Sequence, residues 1–157
     1  MPLRPASKDD VSELYDMVVE LAKFEKFESE VTLSREKFSK DFENGCFYGF
    51  IVIDDETGKS AGMVLYHFRY DCWTGKTMYM NELLVRSEFR NKKYGKQLWA
   101  AVAKVAKEND VGLITWSVLD WNKPAINFYD SVAGVSEEKN EAGFLRYKMT
   151  REGIDRF

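Results

Sequence analysis

Apolar residues recur at Val11, Leu14, Tyr15, Val18, Leu21 and Ala22, the spacing of one helical face. Ser7 precedes this run and Asp10 follows it by three positions, a capping-box pair that marks a helix start. Ahead of it, Leu3-Arg4-Pro5-Ala6 reads as a short strand. Pro5 puts that strand at a sheet edge, because proline cannot donate to a ladder. Past a mixed aromatic and acidic stretch, Phe24 to Glu30, a second short helix is expected after Ser34, burying Phe38 and Phe42. The pattern then turns strand-like. Phe47 to Ile53 is one strand, closed by the turn Asp54-Asp55-Glu56-Thr57-Gly58, and Ala61 to Phe68 is its hairpin partner. Trp73-Thr74-Gly75-Lys76 makes the next turn and Thr77 to Val85 continues the meander. Helical spacing returns between Gly95 and Asn109, at Leu98, Val102, Val105 and Ala106. Leu113 to Val118 is then a strand, Pro124 to Val132 a helix, and Phe144 to Met149 a last strand.

This order predicts an α/β fold with a mixed sheet: a mostly antiparallel meander, one parallel βαβ unit, and flanking helices. The unit is Thr77–Val85, the following helix, and Leu113–Val118, which pair in parallel. Ligands in such sheets sit beyond the carboxyl ends of the strands, here near Val85 and the start of the Gly95 helix. A helix N-terminus offers free N–H groups and partial positive charge to an anion such as a diphosphate. The 157 residues suit a single domain over 1–157, and no repeat, low-complexity tract or linker divides them.

Composition narrows the chemistry. Apolar residues make up 45% and aromatic residues 15% of the chain, enough for a core. A net charge of −3 argues against nucleic-acid binding, which needs a basic face, and suits a cationic substrate. His67 is the single histidine; it lies in an apolar strand run and reads as a satisfied strand residue. One histidine leaves no His-rich metal site. Cys46 and Cys72 form no C-x-x-C pair and read as two reduced thiols near the core. No apolar run is long enough for a bilayer span and no signal peptide is read, so a cytoplasmic protein without a membrane partner is expected.

The segment Arg86-Ser87-Glu88-Phe89-Arg90-Asn91-Lys92-Lys93-Tyr94-Gly95-Lys96 joins strand to helix. It lacks the glycine spacing of a P-loop or a Rossmann fingerprint. Read from its residues alone, it is either a solvated basic turn or an anion site. Strand, Arg90-x-x-x-x-Gly95, helix, strand, then Asn122-x-x-Ala125-x-x-Phe128-Tyr129 resembles the GNAT superfamily of N-acetyltransferases. Within it the likeness is to the spermidine/spermine (diamine) acetyltransferases, especially their thialysine-acetylating branch. Leu21-Ala22-Lys23-Phe24-Glu25-Lys26-Phe27, Tyr66-His67-Phe68-Arg69-Tyr70-Asp71-Cys72-Trp73, Val118-Leu119-Asp120-Trp121-Asn122 and Ile126-Asn127-Phe128-Tyr129 carry it.

The resemblance implies an acetyl-coenzyme A-dependent enzyme that acetylates the primary amine of a small cationic metabolite by direct attack in a ternary complex. The amine is thialysine, another lysine analogue or a polyamine. Two other readings stand beside it: a protein lysine or N-terminal acetyltransferase, and a non-catalytic coenzyme A-binding module. The resemblance places the pantetheine arm along Leu83, Leu84 and Val85, and the diphosphate on the amides around Arg90, Asn91, Lys92, Lys93, Tyr94, Gly95 and Lys96. Asn122, Lys123, Pro124 and Ala125 match a further cofactor-contacting segment; from the residues alone, Asn122 before Pro124 is a helix cap. The family usually has glycine in place of Lys93, and often of Asn91. Lys93 therefore either supplies a cation or loosens the cofactor.

Tyr129 matches the family's proton donor to the departing thiolate; without the resemblance it reads as a core aromatic beside Phe128. Glu82 is the expected base, next to Asn81, where the polyamine enzymes usually carry two acids. Phe24, Glu25, Thr115, Trp116 and Ser117 map to substrate contacts, and Asp71 and Trp73 are expected to wall the amine channel. Trp116 reads first as a packing residue. The family forms homodimers, and a homodimer is expected here.

Overall fold

A computed structural model describes residues 2–138, 143, 145 and 147–156. It divides into two compact units, Met1–Ser117 and Val118–Phe157. The first unit holds a five-stranded sheet in the order β1 (Leu3–Pro5), β2 (Tyr48–Ile53), β3 (Ser60–Asp71), β4 (Gly75–Val85), β5 (Ile114–Thr115). The first four strands are antiparallel neighbours and β4–β5 is the parallel pair, so the sheet is mixed as expected. Pro5 lies on the edge strand β1.

Ser7 opens a single 3-10 turn, Lys8–Asp10, that leads into α1 (Val11–Phe24). The Asp10 carboxylate accepts the Ser7 N–H at 2.8 Å and both Arg4 guanidinium nitrogens at 2.7 and 2.8 Å. The Arg4 hydrogen bond is the main cause that holds its pKa down to about 2. Helix α1 buries Val11, Leu14 and Met17 against Phe38, Ile51, Met63 and Leu65; Met17 was not among the periodic positions that marked the helix. α2 (Arg35–Glu43) starts where the Ser34 side chain accepts the Lys37 N–H, and it buries Phe38 while Phe42 is half-buried. α3 (Tyr94–Glu108) buries Tyr94, Leu98, Val102 and Ala106. The second unit contains α4 (Lys123–Asp130) and α5 (Arg151–Ile154).

Several boundaries differ from the sequence reading. The strand expected over Leu113–Val118 is only Ile114–Thr115, and the Pro124–Val132 helix runs Lys123–Asp130. The strand expected over 144–149 lies partly outside the described residues; Leu145 and Tyr147 through Met149 belong to no strand, and Leu145, Tyr147 and Met149 are exposed. Both cysteines are exposed rather than near the core. Cys46 lies in the bend before β2 and Cys72 in the turn between β3 and β4, where the chain reverses at the surface. Among the described residues, no helix is long and apolar enough to cross a membrane and no cluster of ligating side chains could hold a metal.

Candidate active site

Strand β4 builds the site because its two ends have different neighbours. Its pairing with β5 covers only Met78↔Ile114 and Tyr79↔Thr115. Its pairing with β3 runs the whole way, from Asp71↔Gly75 to Gly62↔Val85. The register slips once: Leu65 faces Glu82 and Tyr66 faces Met80, so Asn81 is an extra residue on β4. Such a β-bulge bends its strand and re-aims the side chains beside it. Pairing with β5 ends just before that bend, and from there to Val85 the outer edge of β4 has no strand partner among the described residues.

Antiparallel pairing fixes which groups face that open edge. The Arg86 N–H donates to the Ala61 carbonyl at 2.9 Å, so Leu84 and Arg86 bond toward β3. Leu83 and Val85 turn their main chain the other way, and the Val85 carbonyl accepts from Arg90 Nε at 3.5 Å. At Gly62 a Cβ would strike the Leu84 carbonyl; glycine lets β3 approach closely where the edge opens. Arg86 anchors this end of β4, donating to Glu13 at 2.8 Å, Glu20 at 2.9 Å and the Ser60 carbonyl at 3.0 Å.

Beyond Val85 the chain makes one 3-10 turn, Ser87–Phe89, buries Phe89, and enters α3 through a loop with two left-handed residues, Asn91 (φ 73°) and Lys93 (φ 63°). These are the two positions where the resembling family favours glycine, and the left-handed backbone is kept here without it. The first helical hydrogen bond is Gln97 N–H to the Lys93 carbonyl at 3.2 Å. The N–H groups of Tyr94, Gly95 and Lys96 precede it, and among the described residues no side chain caps the helix. Such an end is an anion cradle. The Lys92 ammonium turns instead to Asp54 and Glu56, at 2.8 Å from each.

Glu82 follows the bulge directly. It is half-buried, and burial, then the neighbouring charge of Glu25, push its carboxyl pKa up to about 7. Glu25 is the C-cap of α1 and is itself raised by burial. The helix ends in a Schellman motif, with Phe27 N–H on the Ala22 carbonyl at 2.9 Å, Lys26 N–H on Lys23 at 3.1 Å, and Lys26 left-handed. That ending stops the helix at Glu25 and leaves Phe24 about half exposed, at 49%. The structure thus joins two carboxylates far apart in sequence beside the open edge of β4.

Other predicted residues fall into three groups. Asn81, the bulge residue, is exposed, and its Oδ1 lies 2.7 Å from His67 Nδ1. Arg69 Nε donates to the other ring nitrogen at 3.3 Å, so His67 is a satisfied strand residue. Thr115 pairs with Tyr79, Trp116 packs edge-on against Trp99 at 4.8 Å, and Ser117 Oγ accepts from the Tyr79 hydroxyl at 3.4 Å. Asp71 and Trp73 form the tip of the β3–β4 hairpin, where the Asp71 carboxylate accepts the Trp73 and Thr74 N–H groups at 2.7 and 2.9 Å. Counting residues from Leu65, opposite Glu82, that tip is roughly 20 Å along the strand, so these two do not flank Glu82 of their own chain. A concavity of about 980 Å³ between β1, β2 and α3 holds none of the predicted residues.

In the second unit, Asn122 caps α4, its side chain accepting the Ala125 N–H at 3.4 Å, with Pro124 in the first turn. Lys123 donates to the Asp120 carbonyl at 2.8 Å. Tyr129 lies on the same helix, two turns from Asn122, with its ring 5.7 Å from that of Phe128.

Residues 12–135 match the model of the acetyltransferase (GNAT) family. The chain belongs to that family. This acetyltransferase is 38% identical over 149 residues to a thialysine N-epsilon-acetyltransferase of Caenorhabditis elegans, covering 95% of this chain and 91% of the relative. It is 30% identical to the Mus musculus protein of the same name, covering 97% and 94%. Among solved structures, an aminoglycoside acetyltransferase from an uncultured soil sample superposes with a TM-score of 0.76 at 15% identity, covering 94% of this chain and 95% of that one. At that identity the likeness bears on fold alone. Sequence reasoning missed Asp54, Arg86 and the bulge at Asn81 in the acetyltransferase. Asp54 looked like one acid of a turn, and nothing in the sequence separates it from Asp55.

Proposed function

We propose that the protein moves the acetyl group of acetyl-coenzyme A onto the primary amine of a small cationic metabolite, a thialysine-like lysine analogue, with both substrates bound together. The observation that carries this reading is the pair of half-buried carboxylates, Glu25 and Glu82, at the open edge of β4. Two acids near one place, at the negative end of helix α1, draw an ammonium group. The names of the two relatives above point the same way. Asn81 stands where a second acid would suit a long polycation, so the site favours a shorter amine.

The residues present suit the donor. The main chain of Leu83 and Val85, facing the edge that has no strand partner among the described residues, suits the amides of a pantetheine arm, with Leu84 between them. The amides from Asn91 to Lys96 suit a diphosphate, and Arg90, Lys93 and Lys96 add positive charge. Acetyl-coenzyme A supplies a thioester carbon open to direct attack by a neutral amine. An alkylammonium has a pKa of about 10.4 and must first lose a proton. Glu82, poised at about 7, takes it. Phe24, Asn81, Thr115, Trp116 and Ser117 line the acceptor side in this reading. Tyr129 gives its phenol proton to the thiolate, and Asn122, Lys123, Pro124 and Ala125 hold the donor; both roles rest on the family resemblance. So does the extension to a cytoplasmic homodimer built from one acetyltransferase domain.

The test is thiol release from acetyl-coenzyme A with a panel of lysine analogues, diamines, polyamines and peptides. Turnover strongest with thialysine-like amines is expected. Donor binding without turnover on any amine, or turnover with peptides alone, would overturn the reading.

A further inference from the structure

The turn after β2 does more than reverse the chain. Asp54 is completely buried, unlike its exposed neighbours Asp55 and Glu56, and its two oxygens are divided between two tasks. Oδ2 accepts the Thr57 N–H at 3.0 Å and the Thr57 hydroxyl at 2.9 Å, which shapes the turn. Oδ1 accepts from Lys92 Nζ at 2.8 Å and from the Tyr94 hydroxyl at 2.7 Å. A hairpin turn has no need of the second pair. Lys92 and Tyr94 flank Lys93, the left-handed residue that begins α3. A left-handed lysine is strained and persists only where its surroundings over-determine it. Two side chains, from either side of Lys93, tied to one fixed oxygen supply that constraint.

We propose that Asp54 is a positioning residue for donor binding: through Lys92 and Tyr94 it locks the Asn91–Lys96 loop in the shape that receives the diphosphate. This rests on the acetyl-coenzyme A reading above. Where the family uses glycine to reach the left-handed backbone, this chain uses a buried carboxylate clamp to hold a lysine there. Lys92 contributes geometry rather than charge, because Asp54 and Glu56 already neutralise it.

The discriminating probe is S-acetylpantetheine, a donor with the same reactive end and no diphosphate. In Asp54→Asn the Kd for acetyl-coenzyme A, measured by calorimetry, rises about tenfold, the effect of one charge-assisted hydrogen bond. KM for that donor rises in proportion and kcat changes little, while KM for S-acetylpantetheine and for the amine stays put. Tyr94→Phe removes one hydroxyl from the clamp and gives the same split with a smaller rise; it decides the matter if Asp54→Asn does not fold. Unchanged acetyl-coenzyme A affinity in the variants, or equal losses with both donors, would overturn the clamp. A wild-type protein that binds neither donor would instead defeat the underlying acetyl-coenzyme A reading.

Discussion

At the scale of single residues, Glu82 and Lys93 show how position changes chemistry. Glu82 is an ordinary acid until burial and Glu25 raise its pKa to about 7. If it is the base, kcat/KM rises with pH through about 7 as its carboxylate forms, and Glu82→Gln lowers the rate by about 10²–10⁴ and removes that limb of the profile. Tyr129→Phe is expected to lower kcat by about 10²–10⁴ with acetyl-coenzyme A affinity unchanged, read by steady-state kinetics and calorimetry. Lys93 stands at φ 63°. Glycine there relieves about 1–2 kcal/mol of left-handed strain and costs about 0.5–1 kcal/mol in lost chain entropy. The relief wins, so Lys93→Gly raises Tm by a few degrees in a thermal melt, on the order of 2–4 °C per kcal/mol.

At the scale of elements, the site depends on a strand that departs from regularity and a helix that ends in the right place. The bulge at Asn81 changes which β4 residues face outward, and Gly62 lets β3 approach the Leu84 carbonyl closely. Helix α1 carries Glu25 at its C-cap and is seated by Leu14 and Met17, both fully buried. Leu14→Ala removes buried contacts and leaves a cavity under the helix. The expected loss is about 2–5 kcal/mol in urea unfolding. The KM for the amine rises as the Glu25 end loosens.

For the whole molecule, these shifts predict how stability varies with pH. Glu82 has a higher pKa folded than its ordinary value of 4.5, so the folded chain binds the extra proton and stability falls as pH rises from 4.5 through about 7. Asp10, held at about 2 by Arg4, and Asp54, held low chiefly by Lys92, act in the opposite sense. Their contribution is full above the ordinary aspartate range of about 4 and is lost as pH falls below it. Thermal melts across pH should therefore peak near pH 5, and Glu82→Gln should lose the decline on the neutral side while keeping the acid one. A wild-type melt still rising from pH 5 to 7 would count against the burial of Glu82.

Much of this was legible along the chain, because it is local. Helical and alternating apolar spacing gave α1, α3 and the meander, Asn122 before Pro124 gave the cap of α4, and the strand–loop–helix order gave the parallel unit. Residue types alone set the absence of a His-rich metal site. What the tertiary structure decided is non-local. Asp54 and Asp55 are indistinguishable until folding buries one against Lys92 and Tyr94. Glu25 and Glu82 share an environment only because α1 packs on the sheet, and β5 shrinks to Ile114–Thr115 where β4 bends away. Periodicity records which face of an element is apolar. Which element that face meets, and which buried charge finds a partner there, follows only from the packed chain.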